Sequence, residues 1–396
     1  MKITNCPICD SSTLLNFFTI EEMPVHIGIL WPSKESAESA PKGEIRLEYC
    51  NNCGHIFNAS FDELLMTYDL PYDNSLFFSG VFLKFAKELS ENLIKKYSLQ
   101  HKNILEIGSG RGDFLKLICE SGENKGWGFD PSYLPEFHSD PICNRLTYIK
   151  GYYNKNLLDD KVDFVYARHV LEHLTDPKSL IQQLRSDFID RNDIILYFEV
   201  PNADYMLREA NLWDLIYEHC QYFTSASLRY LFEQNGFEIL QLYESFNDQY
   251  LCIECRILDG ENAQTEKINF YEELITQFAD HSYQIISFWE EILKDLSGKG
   301  LRCVVWGAGA KGVSFLNVLH YEEFIINVVD INPQKKGKFI PLTGQKIYSP
   351  DDLGIIQPEK VIVMNPIYLE EVKSNLIKNG VQENICISIN SLDINS

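Results

Sequence analysis

Two adjacent titratable residues, Glu218 and His219, lie within an aromatic-rich stretch of the chain. Burial among aromatic rings shifts pKa values and can prepare an imidazole to act as a general base. Neighbouring residues do not share one face of a helix, but both side chains can face a cleft if they lie in an irregular turn. A local ion pair of Glu218 and a half-buried structural histidine would explain the same residues. Taken alone, that interpretation is the stronger one.

A glycine-rich turn with Gly108, Gly110 and Gly112 follows a short apolar segment at residues 103–107. Glycine lets the backbone turn sharply and approach a ligand closely. The residues up to 118 continue with apolar side chains at helical spacing. A strand therefore runs through the turn into a helix whose first N–H groups can bind a ligand. Either a dinucleotide or S-adenosylmethionine (SAM) could bind at such a turn.

Two acidic residues favour SAM over a dinucleotide. Glu106 lies inside the turn, where an acid would repel a pyrophosphate but could bind an amino group or organise the loop. Asp130 ends the next predicted strand about 20 residues later, where it can accept from ribose hydroxyls. With the tract at residues 163–173, these features resemble the class I SAM-dependent methyltransferases. The resemblance implies cofactor contacts from six residues: Glu106, Gly108, Gly110, Asp130, Arg168 and His169.

Four cysteines near the N-terminus form two Cys-x-x-Cys pairs, Cys6/Cys9 and Cys50/Cys53. Each pair can place two thiolates on one ion, and the two together complete a tetrahedral Zn²⁺ site that is closed and structural. Disulfides are unsuited to a cytoplasmic chain, and a redox motif would explain only one pair. Zinc binding of about 10 kcal/mol would stabilise a segment that is too small for a good core of its own.

The composition restricts the class of protein. A chain of 396 residues with 45% apolar residues predicts two or three domains with real cores. It contains no run of about 18 apolar residues, and its first residues lack the core of a signal peptide, so we expect a cytoplasmic protein without a membrane partner. The net charge of −22 opposes nucleic-acid binding, even though a zinc module would suit an RNA methyltransferase.

The remaining patterns predict alternating strands and helices. Apolar segments at 164–167 and 194–200 indicate strands of an α/β fold, whose ligands bind beyond the carboxyl ends of the strands. Apolar spacing predicts a helix from Phe77 to Tyr97 and a long helix from Glu266 to Leu296 that bridges two domains. A loop at 68–75 precedes the first helix, and its tyrosines could either reach the cleft or pack on the surface.

A second glycine turn near the C-terminus contains Gly307, Gly309 and Gly312 and matches the dinucleotide fingerprint. Asp330 ends the following strand about 20 residues later. On these residues alone, NAD is a reasonable ligand. Three lysines add local positive charge that would suit a diphosphate, although solvated surface lysines would look the same: Lys311, Lys335 and Lys336.

The order of these parts resembles the nucleotide-sugar C-methyltransferases, which methylate keto-deoxysugars. That family combines a Cys₄ zinc module, a SAM domain and a second Rossmann-like domain, so the resemblance spans almost the whole chain. Its Glu-His pair corresponds to Glu218-His219, and its histidine after the fourth strand corresponds to His173. Its tyrosine-rich loop corresponds loosely to Tyr68 or Tyr72.

The chain departs from that family's Tyr-x-Glu-His pattern at one position. Ile216 stands where the family has the tyrosine, and a tyrosine follows instead as Tyr217. The departure leaves open which sugar is bound, which carbon is attacked and whether carbon or oxygen is methylated.

The resemblance implies a mechanism through an enolate. His219 would remove a proton from the carbon beside a ketone, with Glu218 orienting its ring, and Tyr222 or Tyr72 would stabilise the enolate charge. His173 is a second candidate acid or base, or else an element of the SAM loop. The C-terminal domain would bind a nucleotide-sugar substrate and no redox cofactor, and four of its residues are the candidates for that contact: Gly307, Gly309, Lys311 and Lys336.

The sequence therefore predicts four segments. A zinc-binding module covers 1–65, a Rossmann-like class I SAM methyltransferase domain covers 66–262, a linker helix covers 263–298 and a Rossmann-like substrate-binding domain covers 299–396. The predicted function is C-methylation of a nucleotide-linked keto-deoxysugar. O-methylation of a sugar or another polar metabolite, and a SAM-binding protein without turnover, are the alternatives.

Overall fold

The computed structural model describes residues 3–66, 72–134, 141–158, 161–258, 271–319 and 325–389. Tyr68 and the predicted start of the long helix at Glu266 lie outside these ranges. Among the helices of the described ranges, none combines the length and the apolar character that a membrane span requires.

The N-terminal module is an antiparallel sheet that borrows a strand from the next domain. Its own elements are β1 (Leu14–Pro24), α1 (Lys34–Glu38), β2 (Lys42–Cys50) and β3 (Ile56–Asn58). The strand order is β1-β2-β3-β9, in which β9 (Gln221–Tyr222) follows the Glu218-His219 pair. Ile56 pairs with Tyr222 across the last two strands. The module and the predicted catalytic residues are therefore joined by one sheet.

The central domain has seven strands in one mixed sheet. Its elements are α2 (Gly80–Tyr97), β4 (Asn103–Ile107), α3 (Asp113–Ser121), β5 (Lys125–Asp130), β6 (Leu146–Lys150), β7 (Phe164–Arg168), α4 (Pro177–Asp187), β8 (Ile195–Pro201), α5 (Ala203–Arg208), β9, α6 (Ser225–Gln234), β10 (Phe237–Ser245) and β11 (Tyr250–Ile257). The strand order is β10-β11-β8-β7-β4-β5-β6. The pairs from β6 to β8 are parallel, whereas β11 runs antiparallel to both its neighbours.

The sheet is built as the apolar segments predict. The middle strands are buried on both faces, as in parallel sheets that are covered by helices. Helix α2 begins at Gly80 rather than at Phe77, because the Ser79 side chain accepts from the N–H of Phe82 and caps the first turn. β4 leads into the glycine turn and α3, and the turn thus lies at the carboxyl edge where ligands bind in such folds.

The C-terminal domain is a second, smaller α/β unit. A 28-residue helix, α7 (Tyr271–Gly298), leads into β12 (Cys303–Trp306), α8 (Ala310–Leu319), β13 (Ile325–Val329), β14 (Ile347–Tyr348), α9 (Leu353–Ile356), β15 (Lys360–Val363), α10 (Leu369–Lys378) and β16 (Cys386–Ser388). The five strands are all parallel, in the order β14-β13-β12-β15-β16.

Helix α7 contacts each of the three other parts. The ring of Phe278 packs edge-on against Phe18 of β1, with centroids 5.5 Å apart, and Trp289 packs against Phe315 of α8 at 5.3 Å. The Tyr271 hydroxyl donates to the Asp204 carboxylate of α5 at 2.7 Å. The helix therefore serves as a shared core element rather than as a free linker.

The packing of β2 against the catalytic segment predicts a sensitive position. A Cβ atom at Gly43 would overlap the buried ring of Tyr217, whose hydroxyl accepts from the N–H of Asp62 at 2.8 Å. We expect Gly43→Ala to destabilise the protein by about 1–3 kcal/mol, because a well-packed core tolerates added volume poorly. Thermal unfolding measures the effect. Gly354→Ala is the matched control, since no atom lies within 4 Å of that added Cβ, and an equal effect of both substitutions would contradict this packing.

Candidate functional site

The glycine turn after β4 is held against the end of β5. The N–H of Gly108 donates to the carbonyl of Phe129 at 2.8 Å, and the N–H of Gly110 donates to Asp130 Oδ2 at 2.7 Å. Gly108 and Gly110 have φ of 73° and 49°, a region that glycine adopts without strain. A Cβ at Gly108 would overlap Val170, whereas no atom lies within 4 Å of a Cβ at Gly110. The open side of the turn is therefore at Gly110.

Glu106 supplies an unsatisfied acceptor below this turn. The side chain is 4% exposed, and its Oε2 has no hydrogen-bond partner within the described part of the chain. Burial raises the pKa of Glu106 well above its ordinary value, although the charge of Arg168 acts in the opposite direction. A cationic group placed beside it would favour the ionised carboxylate. The turn, Asp130 and this orphaned oxygen fit a ligand that carries both an amino group and a ribose, as SAM does.

Arg168 and His169, predicted as cofactor contacts, are engaged by a buried carboxylate. Arg168 donates to Glu199 Oε1 from Nε at 2.9 Å and from one Nη at 2.7 Å, and its guanidinium lies 4.4 Å from the centre of the Phe114 ring. His169 Nε2 lies 3.1 Å from the same oxygen, and its Nδ1 lies 3.3 Å from Glu172. Both side chains thus organise the strand ends, and their contact with SAM stays a prediction.

The charges in this cluster support one another. Burial alone would lower the pKa of His169, but the hydrogen-bonding partners Glu172 and Glu199 outweigh it and raise that pKa to about 9. Burial alone would raise the pKa of Glu199, but Arg168 and His169 lower it to about 2. Arg168, His169 and Glu199 are therefore ionised at neutral pH and stabilise one another's charges.

The carboxylate of Glu218 points into the N-terminal module. It is 1% exposed and accepts from the N–H of Ile27 at 2.9 Å and from the Tyr72 hydroxyl at 2.8 Å. His26 Nδ1 lies 3.5 Å from the same Oε1 that Ile27 contacts. We expected this carboxylate to orient the His219 ring, but its contacts are with Ile27, Tyr72 and His26 instead.

His219 and His173 form a pair beside this carboxylate. Their ring centroids are 4.9 Å apart in an edge-on arrangement. His173 Nδ1 lies 2.9 Å from the carbonyl oxygen of Glu218, which can only accept, so Nδ1 is the donor in this contact. Burial, with His173 and His169 nearby, lowers the pKa of His219 well below its ordinary value. His219 is therefore neutral at neutral pH, and its imidazole is a weaker base than that of an ordinary histidine.

The two candidate tyrosines differ in their surroundings. Tyr222 is buried, and its hydroxyl donates to the carbonyl of Ile216 at 3.1 Å. Its ring centroid lies 6.3 Å from that of His219. Tyr72 is half-buried and its hydroxyl lies on Glu218. The Tyr72 hydroxyl thus binds a side chain of the Glu218-His219 pair, whereas the Tyr222 hydroxyl binds a backbone carbonyl.

The four cysteines of the N-terminal module converge on one point. Their Sγ atoms all lie within 4.8 Å of one another, with Cys6 and Cys53 at 3.6 Å and Cys9 and Cys50 at 3.4 Å. These separations exceed the bond length of about 2.05 Å in a disulfide and suit four thiolates around one ion. A second group, Glu172, His173 and His219, also has ligand atoms within 4.8 Å, although its carboxylate already pairs with His169.

The second glycine turn repeats the geometry of the first. The N–H of Ala308 donates to Asp330 Oδ2 at 2.7 Å, and a Cβ at Gly312 would overlap the carbonyl of Gly307. Gly309 lies on the side of the turn that faces Asn74.

The predicted lysines of this domain already have partners. Lys311 forms an ion pair with Asp214 of the central domain, and Lys336 donates to Ser349 at 2.9 Å and pairs with Asp352. Lys335 is 5% exposed and donates to the carbonyl of Ala308 at 2.9 Å. Of these three lysines, Lys311 lies between the two domains, and the contact of Lys311 and Lys336 with a substrate stays a prediction.

Three residues of the site were not predicted from the sequence. His26 and Ile27 contact Glu218, which lies 191 positions after Ile27, and Asp73 links the two glycine turns through the contacts described below. His26 lies in a segment that contains Pro24 and Gly28, so its local pattern indicates only a loop. A histidine that is next to no other titratable residue carries no local signal of such a contact.

The ion pairs of His169 predict a pH-dependent stability. The pKa rises from 6.5 to about 9 in the folded chain, so the imidazolium contributes its full stabilisation below pH 6.5 and loses it as the pH rises through 9. We expect the difference in melting temperature between the wild type and His169→Gln to be largest near pH 6 and to shrink above pH 9. His281→Gln on the exposed side of α7 is the control. A difference that stays constant over this range would contradict the ion pairs.

Comparisons with known proteins match both α/β units. A family model for a methyltransferase domain matches residues 78–242, and a model for a C-methyltransferase C-terminal domain matches residues 253–384. The tRNA U34 carboxymethyltransferase of Nautilia profundicola is 28% identical over 129 residues, which are 31% of this chain and 42% of that protein. The protein of the same name from Dichelobacter nodosus is 30% identical over 112 residues, 27% of this chain and 36% of that one.

The chain thus spans about two fifths of the length of the curated relatives that it matches. Among solved structures, magnesium protoporphyrin IX methyltransferase from Synechocystis with bound S-adenosylhomocysteine (SAH) is 15% identical, with a TM-score of 0.34, over 45% of this chain and 84% of that chain. A SAM-dependent methyltransferase from Aquifex aeolicus is 13% identical, with a TM-score of 0.32, over 43% and 89%. From the two family models and the sheet topology, we conclude that the chain carries a class I SAM-dependent methyltransferase domain followed by a C-methyltransferase C-terminal domain, as predicted.

Proposed function

We propose that the protein transfers the methyl group of SAM to a carbon atom beside the ketone of a nucleotide-linked sugar. The observation that carries this proposal is the pair of half-buried rings of His219 and His173, whose chain segment reaches the glycine turn through Val170. The segment from 169 to 173 contacts both the turn and the histidine pair, because Val170 packs on Gly108 and His173 lies against His219. These contacts support one cleft that the turn and the histidines share.

The chemistry needs a base that can reach a weakly acidic C–H bond. In the proposed reaction the C–H bond beside the ketone breaks and its proton passes to the neutral imidazole of His219. The electron pair is delocalised onto the ketone oxygen as an enolate, and its carbon then forms the new C–C bond. SAM supplies the electrophilic methyl group and leaves as SAH. Tyr72, held on Glu218, is the candidate donor for the developing oxygen charge, and His173 is a second candidate acid or base.

The C-terminal domain supports a substrate with a nucleotide part. Helix α8 begins directly after the second glycine turn, and helix N-termini attract phosphate groups. The match to a C-methyltransferase C-terminal domain favours carbon over oxygen as the acceptor. The named relatives modify tRNA, but the net charge of −22 in this chain opposes a polyanionic substrate and favours a small molecule.

Hydrogen exchange tests this mechanism and separates carbon from oxygen methylation. With SAH in place of SAM, in deuterated water, we expect the enzyme to exchange the hydrogen beside the ketone of a nucleotide-linked keto sugar. His219→Ala should lower both exchange and methyl transfer by about 10²–10⁴-fold. Its affinity for SAH should be unchanged in calorimetry, because the turn at Gly110 does not involve this side chain.

His281→Ala is the matched control, since His281 lies exposed on α7. Methyl transfer without any exchange would support oxygen methylation, and a His219→Ala variant with normal exchange would exclude His219 as the base. SAH binding without turnover on any acceptor would favour a SAM-binding protein that is not an enzyme.

Zinc removal tests the N-terminal module. We propose that the four cysteines bind one structural Zn²⁺, so elemental analysis should find one zinc per chain. Cys53→Ser should lose the metal and lower the melting temperature, because the folding of such modules is coupled to metal binding. Cys386→Ser, at a half-buried cysteine outside the cluster, should keep one zinc. Full zinc retention in Cys53→Ser, or purified protein without zinc, would contradict this assignment.

A further inference from the structure

Asp73 contacts three parts of the molecule at once. Its carboxylate accepts from Arg111 Nη1 at 2.6 Å and from Asn332 Nδ2 at 2.8 Å, and its backbone N–H donates to the carbonyl of Gly28 at 2.9 Å. The residue is only 6% exposed. Arg111 belongs to the SAM turn, Asn332 belongs to the C-terminal domain and Gly28 belongs to the N-terminal module. One carboxylate therefore lies at the junction of all three.

The contact on the SAM side reaches the turn itself. Arg111 follows Gly110, whose N–H is bound by Asp130, so the position of the Arg111 backbone is part of the turn geometry. Ser75, two residues after Asp73, donates from its hydroxyl to the Asp113 carboxylate at the start of α3, at 3.2 Å. The segment 73–75 thus holds both the turn and the first residue of the following helix.

The contact on the other side reaches the second glycine turn. Asn332 is 2% exposed, and its side-chain oxygen accepts from the N–H of Gln334 at 2.9 Å, which directs its NH₂ group toward Asp73. The N–H of Asn332 donates to Asp330 Oδ1 at 2.8 Å, and the other oxygen of Asp330 accepts from Ala308 in the turn. A continuous path of hydrogen bonds therefore joins the two glycine turns through Asp73.

We propose that Asp73 is a positioning residue that couples ligand binding at the SAM turn to ligand binding at the C-terminal turn. The inference rests on the proposed function in one respect, namely that the C-terminal turn binds the nucleotide part of the acceptor. A ligand that orders one turn fixes Asp73 and thereby favours the ligand-binding geometry of the other. Such coupling is reciprocal, so each ligand raises the affinity for the other by the same factor.

The substitution Asp73→Asn separates this role from a general structural one. Asparagine keeps the size of the side chain and an acceptor oxygen for Asn332, but it removes the charge that binds Arg111. The backbone bond from residue 73 to Gly28 does not depend on the side chain, so Tyr72 keeps its place on Glu218. Asn332→Ala breaks the same path from the other side and serves as a second variant if Asp73→Asn folds poorly.

A binding cycle measures the coupling. Calorimetry gives the Kd of SAH for the full chain alone and with saturating nucleoside diphosphate, using UDP, dTDP, GDP, CDP and ADP in turn as probes. In the wild type we expect at least one probe to tighten SAH binding about 5-fold or more. In Asp73→Asn and in Asn332→Ala the same probe should tighten it less than about 2-fold, while each ligand still binds. Asp295→Asn, which removes an exposed ion pair with Lys299 on α7, is the matched control and should keep the wild-type factor.

Three results would overturn the inference. Wild-type binding of both ligands without any mutual effect would show that the turns are independent, with the proposed function untouched. A wild-type factor that persists in both variants would assign the coupling to other contacts. If none of the five diphosphates binds, the acceptor assignment of the C-terminal domain fails together with the coupling, whereas hydrogen exchange at His219 remains a separate test of the methyl transfer.

Discussion

The buried carboxylate of Glu218 is the constraint on which the site depends. A carboxylate that is 1% exposed is costly unless donors surround it, and here the donors are the N–H of Ile27 and the hydroxyl of Tyr72. Neither donor belongs to the seven-stranded sheet. Ile27 belongs to the N-terminal module, so this module supplies part of the environment of Glu218 in the methyltransferase domain.

The N-terminal module is joined to the central domain by two further contacts. Its sheet takes β9 from the segment that follows His219, and a glycine at position 43 admits the ring of Tyr217 next to Glu218. If the four cysteines bind zinc as we propose, metal binding would stabilise this module and act on the site through the position of Glu218.

The two glycine turns are held against the next strand by the same pattern of hydrogen bonds. In each turn, a glycine N–H donates to a carbonyl of the next strand, and an aspartate at the end of that strand accepts from a second N–H of the turn. In the first turn these bonds are Gly108 to Phe129 and Gly110 to Asp130. In the second turn they are Gly307 to Val329 and Ala308 to Asp330. The same turn geometry occurs in both α/β units, so the turn alone does not select the ligand. The neighbours of the two turns differ, with the buried Glu106 beside the first and the buried Lys335 beside the second.

The features that could be predicted from the sequence are those that depend on local residue patterns. The glycine spacing and the apolar strands gave the α/β fold, which the family models and the sheet order confirm, and the paired cysteines indicated a cluster that the structure brings together. The hydroxyl of Tyr222 and the guanidinium of Arg168 have protein partners that the sequence did not predict, and their contacts with ligands stay predictions.

Contacts between distant parts of the chain had no local signal. The bond between Asp73 and Asn332 joins residues 259 positions apart, and that between Tyr72 and Glu218 spans 146 positions. Such pairs follow from how three modules pack, and a single sequence contains no pattern that reports this packing.

The position of the transferred methyl group tests the central claim most directly. With carbon-13 in the methyl group of SAM and in every carbon of the sugar, nuclear magnetic resonance of the product detects which atom carries the new methyl group. A methyl carbon that shows one-bond coupling to a ring carbon beside the former ketone is the result that the proposed enolate mechanism predicts. A methyl carbon bonded to oxygen, without one-bond carbon coupling, would contradict it.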